Sequence, residues 1–595
     1  MATTAPPTSR AAPAMSQAAQ SIRPTNRPDL DEALARLNDR ARAFARMPVA
    51  EKALLLRECM PRIADAAEAW VATGSKAKNI SGAYTAEEWL AGPLPTLRNA
   101  RLLAESLEAI ARAGRPPLGT GTRVRKDGRL EIDVFPTSTF DKVAFAGFHG
   151  TCLMQPGIDR AEAAKRQASG HRGGHADADG KKRDAEGGVS LILGAGNVSS
   201  IPPMDVFTKM FVEGYVCLLK MNPVNEWVGP ILERALAPLV DGGFLRVVYG
   251  GGDVGQYLVE HAGVHDVHIT GSDKTHDLIV WGPPGAERDR RMKANDPRLK
   301  KPITSELGNV SPVVIVPYTY HDDELAFMAA NVATMVTNNG SFNCNAAKML
   351  VTSRAWPQRD AFLGLIAREL GRSPARKAYY PGAFDRYARL TAGRDLNIPG
   401  RAGDGELPWT IIRELDTSNA NDPVFELEPF CGILSDAPLG TAGSSGDPVE
   451  FLESATRFCN DTLWGTLNAA IFVHGKLERD PTVGACLDRA ITDLRYGTVT
   501  INHWPALGYG LVSPPWGGHP SATLRDIQSG LGWVHNTYML EGIDKSVIRG
   551  PLVVRPRPLW FTGNPKAAKV ARRMIQQELD PTWTGLAKVV GSVLF

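Results

Sequence analysis

Two residues sit in surroundings suited to covalent and acid–base chemistry. Cys344 lies in NNGSFNCNAAK, a short polar loop between apolar segments. There a thiolate can act as nucleophile, and backbone N–H groups and Asn amides can face a developing oxyanion. The chain's seven cysteines (59, 152, 217, 344, 431, 459 and 486) are scattered, with no CxxC pair. Such usage fits a reducing compartment rather than a disulfide scaffold or zinc ribbon, and each cysteine is by default a small buried hydrophobe. The polar, Gly-containing loop sets Cys344 apart. Glu306, in ITSELGNVSP, stands between an apparent strand end and a glycine turn. It is either a cap or ion-pair partner, or, if burial raises its pKa, a general base.

Glycine-rich turns supply a second kind of chemistry. Gly250, Gly252 and Gly255 fit GxGxxG between a strand and a helix, and Gly194-Ala-Gly196 forms a similar turn. Free N–H groups at a helix N-terminus hold pyrophosphate, so two such turns favour a dinucleotide site. A P-loop Gly-Lys-Ser/Thr is absent, which disfavours an NTPase. His175, Asp177, Asp179, Gly180 and Glu186 resemble part of a calcium loop, but a histidine replaces the first acid and Lys181 and Arg183 crowd the site. His261, His265, His268 and His276 mix helix and strand spacing without a carboxylate pair. No metal is expected at either place.

These groups must be positioned by a long chain. At 595 residues two or three domains are expected. Residues 29–113 show helical periodicity, and near Arg129 the period changes to two in RLEIDVFP. Residues 158–187 read as a polar surface loop. Strands and helices then alternate: GGVSLILGAGN, YVCLLKMN, FLRVVYG and DVHITGS are strands separated by helical segments. That alternation predicts a parallel, doubly wound sheet. A second α/β segment begins at SPVVIVP, and helix DELAFMAANVATMV precedes the Cys344 loop. Beyond Arg549 come a strand-like PLVVRP and a basic helix opened by Asn564-Pro565. Lysines and arginines exceed acids by three, which gives no reason to expect nucleic acid. No apolar run is long enough to span a bilayer, and the Ala/Pro/Ser-rich residues 1–28 read as a flexible tail without a signal-peptide core. A cytoplasmic enzyme is expected.

Taken in order, the motifs resemble those of the aldehyde dehydrogenase superfamily over roughly residues 30–550. ELGNVSP looks like ELGGKSP, which implies that Glu306 activates water. NNGSFNCNA looks like the NQGQxCxA loop, which implies Cys344 as nucleophile. HITGS resembles FTGS, placing Gly271 and Ser272 against cofactor phosphate, and LLKMNP resembles VVKPAE, placing Lys220 on the adenosine ribose. LEPFCGIL resembles EEIFGPVL, which implies Glu428 on the nicotinamide ribose with Phe430 beside it. YGTVTINHW and PPWGG match two later motifs. The family's PWNFP turn corresponds to GAGNVSS, with Asn197 in place of the oxyanion amide but without the Trp and both prolines. The Cys344 loop is one residue longer than usual, and Cys431 is an extra residue in LEPFCGIL.

The resemblance implies an α/β fold of two doubly wound domains plus a small β oligomerisation arm. The expected plan is a tail over 1–28 and a cofactor-binding domain over 29–300, with the 158–187 insertion and an arm at 129–155. A catalytic domain follows over 301–505, and 506–595 returns to the cofactor domain with the oligomerisation strand PLVVRP and a C-terminal extension. It implies oxidation of an aldehyde with NAD or NADP through a thioester on Cys344, hydrolysed with Glu306 as base. Pro223, where many members carry a ribose-binding Glu, leaves NADP permitted. The GAGNVSS turn also resembles fatty acyl-CoA reductases, so transfer to or from coenzyme A is the rival reading. A non-catalytic binding relative is a third. Homodimers or homotetramers are expected, and the basic C-terminal helix either packs against protein or solvent or lies on a membrane surface.

Overall fold

The computed structural model describes residues 22–171, 187–440 and 446–594. The calcium-like segment 175–186 and the tail up to residue 21 lie outside the described residues. Four helices open the described chain: Arg27–Arg46, Val49–Lys78, Ala86–Ala91 and Pro93–Ala113. In the first, the Asn26 side chain accepts from the Asp29 N–H, and Leu30, Leu34, Leu37, Ala41 and Phe44 form one buried stripe. Gly121–Val124 (β1), Leu130–Phe135 (β2) and His149–Met154 (β3) follow as an antiparallel arm. The expected polar loop over 158–187 is partly corrected. A helix, Arg160–Arg166, begins it, and Ile158, Ala163, Gln167 and Ala168 are buried. Gln167 donates to the carbonyls of Pro117 and Tyr538, so this half is packed rather than solvated.

The first sheet is parallel and five-stranded: Val189–Leu193 (β4), Val216–Lys220 (β5), Leu245–Val248 (β6), Asp266–Gly271 (β7) and Ile303–Leu307 (β8), in spatial order β6-β5-β4-β7-β8. β4 and β5 are near-continuous apolar runs because helices cover both faces. The order reverses at β4, so a crevice opens at the carboxyl ends of β4 and β7, where doubly wound sheets bind ligands. Gly194 follows β4, Lys220 ends β5, Gly271 ends β7 and Glu306 is the penultimate residue of β8.

The second sheet takes its strands from the rest of the chain: Pro312–Ile315 (β9), Met349–Ser353 (β10), Leu396–Asn397 (β12), Thr410–Ile412 (β14), Ile433–Leu439 (β15), Asn468–Phe472 (β16), Thr498–Ile501 (β17) and Ile543–Arg549 (β18), while Arg376–Lys377 (β11) and Glu406–Leu407 (β13) pair separately. With the arm it becomes an 11-stranded sheet in which β3 pairs antiparallel with β18 and β18 parallel with β17. The expected arm strand at 551–556 is therefore wrong. Residues 551–556 form no strand, because Pro551 and Pro556 cannot donate to a ladder; the strand is Ile543–Arg549, just upstream.

The C-terminal extension packs inside this chain. Helix Ala567–Leu579 lies on helices Val49–Lys78, Ala86–Ala91 and Pro93–Ala113, burying Val570, Ala571, Met574 and Ile575. Its Glu578 accepts from Arg98 and Arg101, both 2.6 Å away, and Arg572 pairs with Glu68. Among the described residues no helix is long and apolar enough to cross a membrane.

Candidate active site

Cys344 follows helix Asp322–Thr337 and a tight turn in which Asn339, Gly340 and Ser341 are consecutively left-handed (φ 53°, 66° and 68°). A non-glycine residue holds such a backbone only when its surroundings over-determine it, and here they do. Asn339 Nδ2 donates to the carbonyls of Asn197 (3.0 Å) and Phe342 (3.2 Å) and to Asn343 Oδ1 (3.0 Å). Its Oδ1 accepts from Lys78 Nζ and from the Tyr379 hydroxyl, each at 3.0 Å, and its N–H donates to Glu87 at 2.9 Å. Lys78 also donates to the Asn197 carbonyl (2.9 Å) and Glu88 (2.7 Å), and Arg376 pairs with Glu87. A buried polar scaffold thus ties the Asn197 turn to the nucleophile loop. Lys78, Glu87, Glu88, Tyr379 and Arg376 escape motif reading; the one trace is the acidic pair inside the otherwise apolar AEEWLAG.

The Cys344 carbonyl is pinned from the other side. It accepts from Lys348 Nζ (2.9 Å), Ser311 Oγ (3.1 Å) and Asn468 Nδ2 (3.3 Å). Lys348, wholly buried, also forms an ion pair with Glu428 at 2.6 Å. Of the seven cysteines, all free, Cys344 alone is not fully buried as a residue.

Glu306, the penultimate residue of β8, lies beside Cys344 and lines the same cavity. Trp516 Nε1 donates to Glu306 at 3.2 Å. Burial, and secondarily the nearby Asp205 carboxylate, push the Glu306 carboxyl up to about 8. Burial also drives the Cys344 thiol well above its ordinary value, and the adjacent Glu306 adds to this while Lys348 opposes it. The pair is therefore at rest as a thiol beside a carboxyl poised near neutrality. Behind Glu306 lies a cavity of about 10 Å³ lined by Asp205, Lys209, His268 and Trp516, the size of one water with several polar partners. Thr270 Oγ1 donates to Asp205 at 2.9 Å, and His268 Nε2 lies 3.5 Å from the same carboxylate.

Two cavities meet at Cys344. The first begins where Asn197, Gly271, Ser272, Glu306, Glu428 and Phe430 surround the thiol. It continues into a cleft of about 950 Å³ lined by Gly194, Lys220, Gly252, Gly255, Gly271 and Ser272. The second, of about 140 Å³, runs from Cys344 towards the C-terminal extension.

Residues 175–370 match the family model described as the aldehyde dehydrogenase family. The fold is shared along nearly the whole chain. NADP-dependent glyceraldehyde-3-phosphate dehydrogenase from Bacillus halodurans, solved with NADP, is 17% identical (TM-score 0.57, covering 90% of this chain and 94% of that one). NAD-dependent aldehyde dehydrogenase from Sinorhizobium meliloti is 18% identical (0.54, 90% and 88%). Aldehyde dehydrogenase 21 from Physcomitrella patens, solved with succinate, is 14% identical (0.55, 88% and 90%). Residues 175–370 are thus similar to the aldehyde dehydrogenase family, and nearly the whole chain shares the fold of these solved aldehyde dehydrogenases.

Within this aldehyde dehydrogenase fold the residues singled out by sequence occupy one connected crevice, with one exception. Gly250 does not border the cleft: its φ of 141° serves the turn, and a Cβ there would meet Val254 at 2.5 Å. Gly252 and Gly255 do border it, at the start of helix Gly252–Glu260. Ser272 caps the next helix, its Oγ accepting from the Thr275 N–H. Lys220 ends β5; burial pulls its ammonium down to about 8, against the pull of Glu226 and Asp253. Glu428 packs so closely on Gly308 that a Cβ there would lie 1.9 Å from its carboxylate, a reason for glycine in ELGN. Phe430 is left-handed (φ 44°) and Cys431 is buried. Asn197 Nδ2 donates to the Phe342 carbonyl at 2.9 Å. Motif reading missed Arg298, Lys300, Lys301 and Arg386, which also line the cleft. The four histidines are dispersed: His268 bonds Thr304, His276 lies in helix Asp273–Trp281, and His265 and His261 flank a turn.

Proposed function

We propose that this protein oxidises an aldehyde to the carboxylic acid with NAD or NADP through a thioester on Cys344. The observation that carries the reading is the position of Cys344: it stands where the two cavities meet, in a cavity it shares with the buried carboxyl of Glu306.

The cleft at the carboxyl ends of β4 to β7 suits a dinucleotide. A Cβ on Gly252 would meet nothing within 4 Å, so backbone there is open to a close ligand at a helix N-terminus. Lys220 would hold the adenosine ribose, Gly271 and Ser272 the phosphates, and Glu428 and Phe430 the nicotinamide end. When bound, the cofactor accepts the hydride. The relatives above include one solved with NADP and one named as NAD-dependent, and no residue here discriminates between the two.

The chain's own residues supply the rest. Cys344 Sγ adds to the carbonyl carbon and gives its proton to Glu306, which near pH 8 is partly ionised and able to take it. The amide of Asn197 has two N–H donors; one serves Phe342, and the second remains for the oxyanion. Loss of hydride from carbon leaves the acyl group on sulfur. Glu306 loses the proton it took from Cys344 to solvent and, ionised again, takes one from water as the water oxygen adds to that carbon. The C–S bond breaks, Glu306 returns this second proton to sulfur, and acid and the Cys344 thiol are released. The three donors on the Cys344 carbonyl keep the sulfur in place through both halves.

The test is a panel of aldehydes with NAD or NADP, each with and without coenzyme A, with products identified by mass spectrometry. Free acid without coenzyme A, and loss of aldehyde-dependent NAD(P)H in Glu306→Gln, are expected. Acyl-CoA as the product would replace water by the thiol acceptor. The absence of any aldehyde-dependent NAD(P)H would reject the reading.

A further inference from the structure

The 140 Å³ cavity on the second side of Cys344 has a wall made by the C-terminal extension. Met574 and Glu578 come from helix Ala567–Leu579 and Trp560 from the segment before it. They face Leu94, Phe145 and Leu511. Side chains brought together from five separate stretches of chain therefore line one largely apolar space.

The charges in it are all engaged. Arg98, the cation lining this space, donates from its three nitrogens to Glu578 (2.6 Å), Asp141 (2.8 Å) and the Leu511 carbonyl (2.9 Å). Burial alone would lower its pKa, but Glu578 and Asp141 more than offset this and hold it charged. Glu87 is taken by Arg376 and the Asn339 N–H. A substrate carboxylate or phosphate entering here would displace a paired charge or be buried without a partner, at a cost of several kcal/mol. An apolar cavity of about 150 Å³ holds benzene, so the space matches a ring or a short alkyl chain.

We infer that the C-terminal extension is the far wall of the acyl pocket, and that Met574 sets the size limit for a neutral, apolar aldehyde about as large as benzaldehyde or hexanal. The inference rests on the aldehyde reading above. The Arg98–Glu578 ion pair is a positioning device: it locks the extension's helix to helix Pro93–Ala113, and so fixes Met574 in the wall.

The test compares wild type with Met574→Trp and Met574→Ala. Steady-state kinetics are measured with acetaldehyde, benzaldehyde, hexanal, decanal, succinic semialdehyde and glyceraldehyde 3-phosphate. Wild type is expected to prefer benzaldehyde and hexanal over both anionic aldehydes by about 100-fold or more in kcat/KM. Met574→Trp should lower kcat/KM for benzaldehyde about tenfold or more, mainly through KM, and leave acetaldehyde within about twofold. Met574→Ala should raise decanal relative to hexanal, which keeps the wall testable if the tryptophan variant does not fold. A second readout needs no turnover: the rates at which N-ethylmaleimide and N-benzylmaleimide label Cys344, read by peptide mass. Met574→Trp should slow the benzyl reagent only. If wild type oxidises no aldehyde while this labelling selectivity holds, the aldehyde reading falls and the pocket stands. Equal effects on large and small reagents, or a preference for the anionic aldehydes, would overturn the pocket itself.

Discussion

The two cavities that share Cys344 are built on opposite principles. The cleft of about 950 Å³ is walled largely by the turns that leave β4, β5, β6 and β7, where glycines bring backbone to the surface, and is lined by the cations Lys220, Arg298, Lys300, Lys301 and Arg386. The cavity of about 140 Å³ is walled by side chains from helices and loops hundreds of residues apart, with every charge neutralised inside the wall. A site made of backbone turns depends on the fold and tolerates side-chain change, as the shared fold at 14–18% identity illustrates. A site made of packed side chains is redrawn by single substitutions.

The contrast can be broken at several points. Cys344→Ala should reduce aldehyde-dependent NAD(P)H formation by about 10³-fold or more, while cofactor affinity by fluorescence titration stays within about twofold; a proportional loss of both would show that the cavities are not separable. Arg98→Met strands the buried carboxylates of Glu578 and Asp141 and should cost about 3–5 kcal/mol of unfolding free energy by urea denaturation. A loss below about 1 kcal/mol would mean that the extension is not held by this network. Lys220→Ala should weaken NAD(P) binding about tenfold, or about 1.4 kcal/mol, without altering maleimide labelling of Cys344.

The finest test concerns Glu306. The ionised carboxylate is the base, so acid release should climb with pH and level off above about 8. Asp205→Asn removes the neighbouring anion that helps to disfavour ionisation, so the limb should move to lower pH by up to about one unit. A limb that stays in place would show that burial alone sets this carboxyl.

Much of the first cavity was legible in the sequence because it is local. An apolar strand, a glycine turn and a helix are contiguous, and so β4 to β7 could be placed. Cys344 and Glu306 stood out by motif order. What holds them did not, since Lys78, Glu87, Tyr379 and Lys348 approach from segments with no shared pattern. The arm strand was misplaced for a related reason. PLVVRP carries β-branched residues but also two prolines, whereas IDKSVIR looks polar yet is buried. Lys545 reconciles that burial by donating to the carbonyls of Ile491, Thr492 and Leu494, partners that no local pattern announces. The role of the extension was equally hidden, because Met574 reads as an ordinary helix residue until helix Pro93–Ala113 packs against it.

The pairing of β3 with β18 also bears on how the chain is made. His149–Met154 leaves the ribosome about 390 residues before Ile543–Arg549 is available to zip against it. At about 5–20 residues per second that is a wait of roughly 20–80 seconds. Over that interval the edge of the nascent arm has no partner from the second sheet, and unpaired edges recruit other strands. Biogenesis of this protein should therefore depend on chaperone occupancy and on elongation rate, with premature termination between β17 and β18 more prone to aggregate than termination before β1.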